Sequence, residues 1–135
     1  MPATRYIMYV DDDIDDLFVF NQALHITDPS LHVLEARDGY QALKMLEEAK
    51  TDRNYPFLIV LDLNMPGMNG KETLTIIKKN PEWCTIPVVI FSTSSSKIDQ
   101  DFCMQYNVAF ITKPLHFSEL VTTISKLIRL CETAA

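Results

Sequence analysis

Apolar residues along this chain fall into two alternating patterns. Short continuous runs are separated by longer stretches with apolar positions at helical spacing. Tyr6-Ile7-Met8-Tyr9-Val10 reads as a first strand. Ile14, Leu17, Phe18, Asn21 and Leu24 follow a helical period with one polar member, and Asp28-Pro29 ends that helix near Thr27. Leu31 to Ala36 gives a second strand, and Gly39 to Ala49 a helix using Leu43, Leu46 and Ala49. Phe57-Leu58-Ile59-Val60-Leu61 is an unbroken apolar run bounded by Pro56, the signature of a strand buried on both faces. A third helix opens at Asn69 or Gly70, carries Leu74 and Ile77, and stops before Pro81. Ile86 to Phe91 is a fourth strand, with Pro87 acceptable only near its beginning. A helix capped by Ser96 or a neighbouring serine carries Ile98, Phe102 and Tyr106, and Val108 to Ile111 is a short fifth strand. The last helix has the clearest stripe: Leu120, Val121, Ile124, Leu127, Ile128 and Cys131.

A strand–helix unit repeated five times, with short connections, predicts a parallel sheet in a three-layer α/β domain. The whole chain, residues 1–135, reads as one domain. The net charge of −6 opposes attraction to nucleic acid or anionic membrane. Without a long apolar stretch or a signal pattern, the expectation is a cytoplasmic protein that binds neither DNA nor membrane. Cys84, Cys103 and Cys131 are odd in number and widely spaced, which argues against a disulfide framework or a zinc site. His25, His32 and His116 are equally scattered, and Trp83 reads as a packing or surface aromatic away from Asp62.

The chemistry gathers at strand ends. Strand one runs into Asp11-Asp12-Asp13, strand three into Asp62, strand four into Ser92-Thr93-Ser94 and strand five into Thr112-Lys113-Pro114. In a doubly wound sheet these ends share one edge, so acids, a hydroxyl and an ammonium can converge. Clustered carboxylates repel until a cation joins them, and Mg²⁺ with oxygen ligands suits such a set. Lys113 supplies a second positive charge, so an incoming phosphoryl group can be neutralised while an aspartate attacks phosphorus. Asp13 is read as the cap of the first helix, with Asp15 and Asp16 as favourable charges at the positive end of its dipole.

From about Arg5 to Leu130 the chain resembles the receiver domains of two-component response regulators. Four ordered motifs carry the resemblance: V-D-D-D at 10–13, D-L-N-M-P-G-M-N-G at 62–70, F-S-T at 91–93 and F-I-T-K-P at 110–114. It implies a flavodoxin-like (βα)5 fold, doubly wound, with a five-stranded parallel sheet in the order 2-1-3-4-5. It makes Asp62 the phosphoacceptor, and Asp12, Asp62 and the Asn64 backbone carbonyl direct Mg²⁺ ligands, with Asp11 acting largely through water. Ser92 takes the hydroxyl position, where Thr is commoner, and Lys113 the lysine position, with a cis bond to Pro114. Phe110 is the switch aromatic, where Tyr is frequent, and it lacks the hydroxyl that would lock an inward rotamer. Asn64 and Ser94 occupy positions that tune autodephosphorylation.

With no effector domain in view, the chain is similar to stand-alone receivers of the chemotaxis-regulator or phytochrome-associated type. Asn80-Pro81-Glu82-Trp83 resembles the latter. The implied role is a phosphorelay module rather than an enzyme. A sensor histidine kinase or histidine phosphotransfer protein loads it, and a downstream protein target reads it. Two alternatives stay open: a Mg²⁺-dependent phosphatase or phosphotransferase with an aspartyl-phosphate intermediate, and a phosphorylation-independent adaptor. The oligomeric state is open too.

Overall fold

The structure is a computed structural model that describes residues 5–65, 67–93 and 96–133. Its elements are β1 (Tyr6–Val10), α1 (Ile14–Thr27), β2 (His32–Ala36), α2 (Gly39–Asp52), β3 (Leu58–Leu61), α3 (Gly70–Lys79), β4 (Val88–Ser92), α4 (Lys97–Gln105), β5 (Ala109–Thr112) and α5 (Phe117–Thr133). The five strands form one parallel sheet in the order β2-β1-β3-β4-β5, as expected. The order reverses between β1 and β3, and such a switch point opens a crevice beyond the carboxyl ends of the strands.

Alternate side chains of each strand feed two cores. Ile7, Tyr9, Leu58, Val60, Val89 and Phe91 pack with α1 and α5 on one face. Met8, Val10, Ile59, Leu61, Val88 and Ile90 pack with α2, α3 and Cys103 of α4 on the other. Because β3 lies inside the sheet under helices on both sides, all four of its residues are buried, which explains its unbroken apolar run.

Local chemistry sets the helix starts. Asp13, Asp38, Asn69 and Ser96 are N-caps whose side chains accept backbone N–H bonds from the first turn. Ser96 is therefore the cap expected for α4; Ser94 lies outside the described residues.

Two helix faces differ from expectation. In α1 the buried residues are Leu17, Phe20, Ala23 and Leu24, whereas Phe18 is 61% exposed and Ile14 is also exposed. The helix is apolar on several sides, so periodicity alone cannot choose among them. The choice is made by Phe20, which sits edge-on to Tyr9 with ring centroids 4.3 Å apart. In α4 the only fully buried residue is Cys103; Ile98 is exposed, and Phe102 and the C-cap Tyr106 are half-buried. β4 also begins two residues later than its apolar run, since Pro87 precedes the strand and contributes only its carbonyl, to the Ile59 N–H at 2.9 Å. Trp83 is buried in the α2–α4 core.

Candidate functional site

Sheet register brings the ionisable strand ends together. Val10 pairs with Leu61, so the next residues, Asp11 and Asp62, lie side by side at the sheet edge. The Asp62 N–H extends the ladder by donating to the Val10 carbonyl at 2.9 Å, and the Asp11 N–H donates to Ala36 at 3.0 Å. On the far side Ser92 pairs with Thr112, and the Lys113 N–H donates to the Ser92 carbonyl at 2.8 Å. Lys113 thus leaves β5 next to the acids, and its side chain reaches across the crevice.

One carboxylate oxygen from each of Asp11, Asp12 and Asp62 lies within 4.8 Å of the others. An all-oxygen trio of that size fits a hard divalent cation, which also removes the mutual repulsion of the three charges. The residues present therefore suit a divalent metal. Asp12 is exposed, while Asp11 is fully buried and Asp62 nearly so. Asp11 is held by the Tyr9 hydroxyl at 3.1 Å, the Asp13 N–H at 3.0 Å and the Lys113 ammonium at 2.7 Å. Those donors make burial of its charge tolerable. Asp62 accepts from the Asn64 N–H at 3.3 Å and faces the Lys113 ammonium at 3.5 Å.

The electrostatics follow from this packing. Burial pushes the Asp62 carboxyl up from 3.8 to about 6; Lys113 opposes that rise, Asp11 adds to it, and the Asn64 N–H opposes it. Burial alone would lower the Lys113 ammonium. Its hydrogen bonds to Asp11 and Asp16 and the charges of Asp62 and Asp11 outweigh that and raise it above the ordinary lysine value. The Tyr9 hydroxyl is likewise raised, first by burial and then by the Asp11 charge, so it stays a donor.

The β3–α3 loop holds Asp62 in place through its glycines. Gly67 adopts φ +74°, a left-handed conformation suited to glycine. Gly70 donates its N–H to the Leu63 carbonyl at 3.0 Å, and a methyl group there would run into the Asp62 carbonyl oxygen and the Leu63 Cα. Because the obstacle is backbone, Gly70→Ala is expected to destabilise the protein by about 2 kcal/mol or more. Its effect on any chemistry at Asp62 should exceed that of Gly67→Asn. Urea denaturation of both variants checks the first part; wild-type stability for Gly70→Ala would contradict the close approach.

Ser92 is buried at the end of β4, and Phe110 on β5 is half-buried against the α2–α4 core. One expectation is corrected. All peptide bonds among the described residues are trans, so the Lys113–Pro114 bond is not cis. Trans is the intrinsically favoured form by about 0.5–1 kcal/mol. The Lys113 backbone and ammonium contacts described above are all made with trans Pro114.

Two partners were missed in the sequence reading. Asp16, read as a helix-dipole charge, accepts from the Lys113 ammonium at 2.7 Å. With Asp13 as cap it is the third helical residue, and helical side chains lean toward the N-terminus, here toward the strand ends. That lean was the available signal. Tyr9 gave none, since its place in an apolar run conceals a hydroxyl directed at Asp11.

The model of the response regulator receiver domain matches residues 7–125. The chain belongs to that family. This receiver is 31% identical to response regulator Rcp1 of Synechocystis sp. over 119 residues, 86% of this chain and 81% of Rcp1. The crystal structure of the phosphorylated cyanobacterial phytochrome response regulator RcpA matches with a TM-score of 0.87. It is 31% identical and covers 98% of this chain and 97% of RcpA. The Mn²⁺-bound form of Rcp1 matches with a TM-score of 0.79 at 28% identity, over 91% of each chain. The family is one of two-component signalling domains rather than catalytic enzymes. Among the described residues no helix is long and apolar enough to cross a membrane.

Proposed function

We propose that Asp62 of this receiver accepts a phosphoryl group from the phosphohistidine of a sensor histidine kinase or histidine phosphotransfer protein. An Asp62 carboxylate oxygen attacks phosphorus, the P–N bond breaks, and the imidazole, already protonated on its other ring nitrogen, leaves as the neutral ring. Lys113 stands beside Asp62, placed to meet a phosphoryl oxygen, and the buried Ser92 hydroxyl lies on the neighbouring strand end. Asp12, Asp62 and the Asn64 carbonyl, with Asp11 largely through water, would hold Mg²⁺, which would supply charge that offsets the negative charge of the phosphoryl group. The single observation that carries this reading is the meeting of three carboxylates and one ammonium at the sheet's switch point. Serving as acceptor also needs an ionised Asp62, and a value of about 6 leaves it ionised at neutral pH.

A phosphorylated Asp62 draws Ser92 and Lys113 toward it, which supplies the differential free energy a switch requires. The half-buried Phe110 lies on β5, paired with Ile90 of β4, and is the residue proposed to relay the change. A downstream protein target then reads the altered β4–α4–β5 face. RcpA is a phytochrome response regulator, and on that likeness a kinase of the phytochrome class is the donor to try first.

Incubation with acetyl phosphate and Mg²⁺, followed by intact mass, tests the assignment. Wild type should gain one phosphoryl group and Asp62→Asn none. Equal labelling of the two, or no labelling of wild type, would remove Asp62 from the role.

A further inference from the structure

Lys113 does not hold Asp62 most closely. Its ammonium lies 2.7 Å from Asp11 and 2.7 Å from Asp16, but 3.5 Å from Asp62. An ammonium has three donors, so two are committed to short bonds with acids other than the proposed acceptor. The third faces Asp62 at 3.5 Å, so a phosphoryl oxygen there that draws the ammonium closer pulls against those two bonds.

The two are not equally easy to release. The Asp11 carboxylate is fully buried and anchored by Tyr9 and Asp13, so losing the lysine would leave a charge away from water. The Asp16 side chain is 38% exposed and water can replace its partner. Nor is Asp16 one of the three acids close enough together to share a metal ion. Asp16 is therefore the bond that yields.

We infer that Asp16 is a positioning residue that competes with the phosphoryl group on Asp62 for Lys113, parking the lysine in the unphosphorylated state and opposing the phosphorylated one. This rests on Asp62 being the phosphoacceptor. Any ligand that mimics the phosphoryl group must displace Asp16 from Lys113, so removing the Asp16 charge should favour it.

The probe is beryllofluoride with Mg²⁺, its binding followed by the ¹⁹F NMR signal of the bound species, with thermal midpoints recorded alongside. Asp16→Asn should tighten binding roughly fivefold, the scale of a partly exposed ion pair. A purely structural role would instead weaken binding along with stability. Asp16→Glu, which can still reach Lys113, should behave like wild type. Asp15→Asn removes the same charge from the same helical turn, where the side chain is exposed and caps nothing, and should leave binding unchanged. If Asp16→Asn binds no tighter than wild type, or Asp15→Asn gains as much, the competition is refuted while the Asp62 assignment stands. If wild type itself binds no beryllofluoride, both readings fall.

Discussion

Lys113→Met should lower the stability of this receiver by about 3 kcal/mol in EDTA at neutral pH, a fall of roughly 10 °C in thermal midpoint. The ammonium is the shared counter-charge of Asp11, Asp16 and Asp62. Removing it leaves Asp11, with no exposed surface, carrying an unpaired charge, and removing one member of a buried pair is the costly kind of ion-pair mutation. The Tyr9 and Asp13 donors to Asp11 soften the loss without replacing the charge. Lys50–Glu82 is the internal control, because both side chains are about half exposed and Lys50→Met should have little effect. Excess Mg²⁺ should recover part of the loss in Lys113→Met, since a cation at the three acids takes over the neutralising role. Thermal or urea unfolding with and without Mg²⁺ measures both effects. An unchanged midpoint in EDTA would mean the acids do not depend on Lys113.

Asp62→Asn should act in the opposite direction and stabilise the metal-free protein above pH 6. The folded-state value of Asp62, about 6, lies above its ordinary 3.8 because burial dominates. Between those values the native state holds a proton that the unfolded state has released, so stability falls as pH rises through the window. Well below pH 3.8 the carboxyl is neutral in both states and costs nothing; above pH 6 its ionisation costs on the order of 2–3 kcal/mol. Asparagine carries no such charge. The gain from Asp62→Asn should therefore be smallest below pH 3.8, grow to pH 6 and level off beyond. Mg²⁺ should narrow or reverse it, because ligand binding stabilises only the protein that retains the acid. A midpoint for Asp62→Asn at or below wild type in EDTA at pH 8 would contradict the burial argument. Together the two variants measure how far one ammonium balances the acids gathered at this edge.

Much of this was legible in the chain because it depends on local physics. The apolar run Phe57–Leu61 ending in Asp62 could belong only to a central strand, and β3 is buried throughout. Asp13, Asn69 and Ser96 cap helices through bonds spanning two or three residues, so their chemistry is written beside them. The acids, Ser92 and Lys113 follow four different strands, and parallel strand order alone carries them to one edge. The buried face of α1 was not legible, because Ile14, Phe18 and Ile26 are as apolar as Leu17, Phe20 and Leu24, yet all three are exposed. Only contact with Tyr9, Phe91 and α5 distinguishes the two sets.

The order of strands and helices, the placement of Asp11, Asp12, Asp62, Ser92 and Lys113 at strand ends, and membership of the receiver family were determined by sequence. Periodicity, turn chemistry and motif spacing operate within a few residues and survive without the rest of the fold. Tertiary structure alone decided how those charges share their partners. It put Lys113 closer to Asp16 than to Asp62, turned the Tyr9 hydroxyl onto Asp11, and kept Pro114 trans. Those outcomes depend on ångström differences between groups 97 and 51 residues apart in the chain, set by packing of α1 and β5 against the sheet. Coulomb energy falls with distance and rises with burial, so such differences decide which acid holds the lysine.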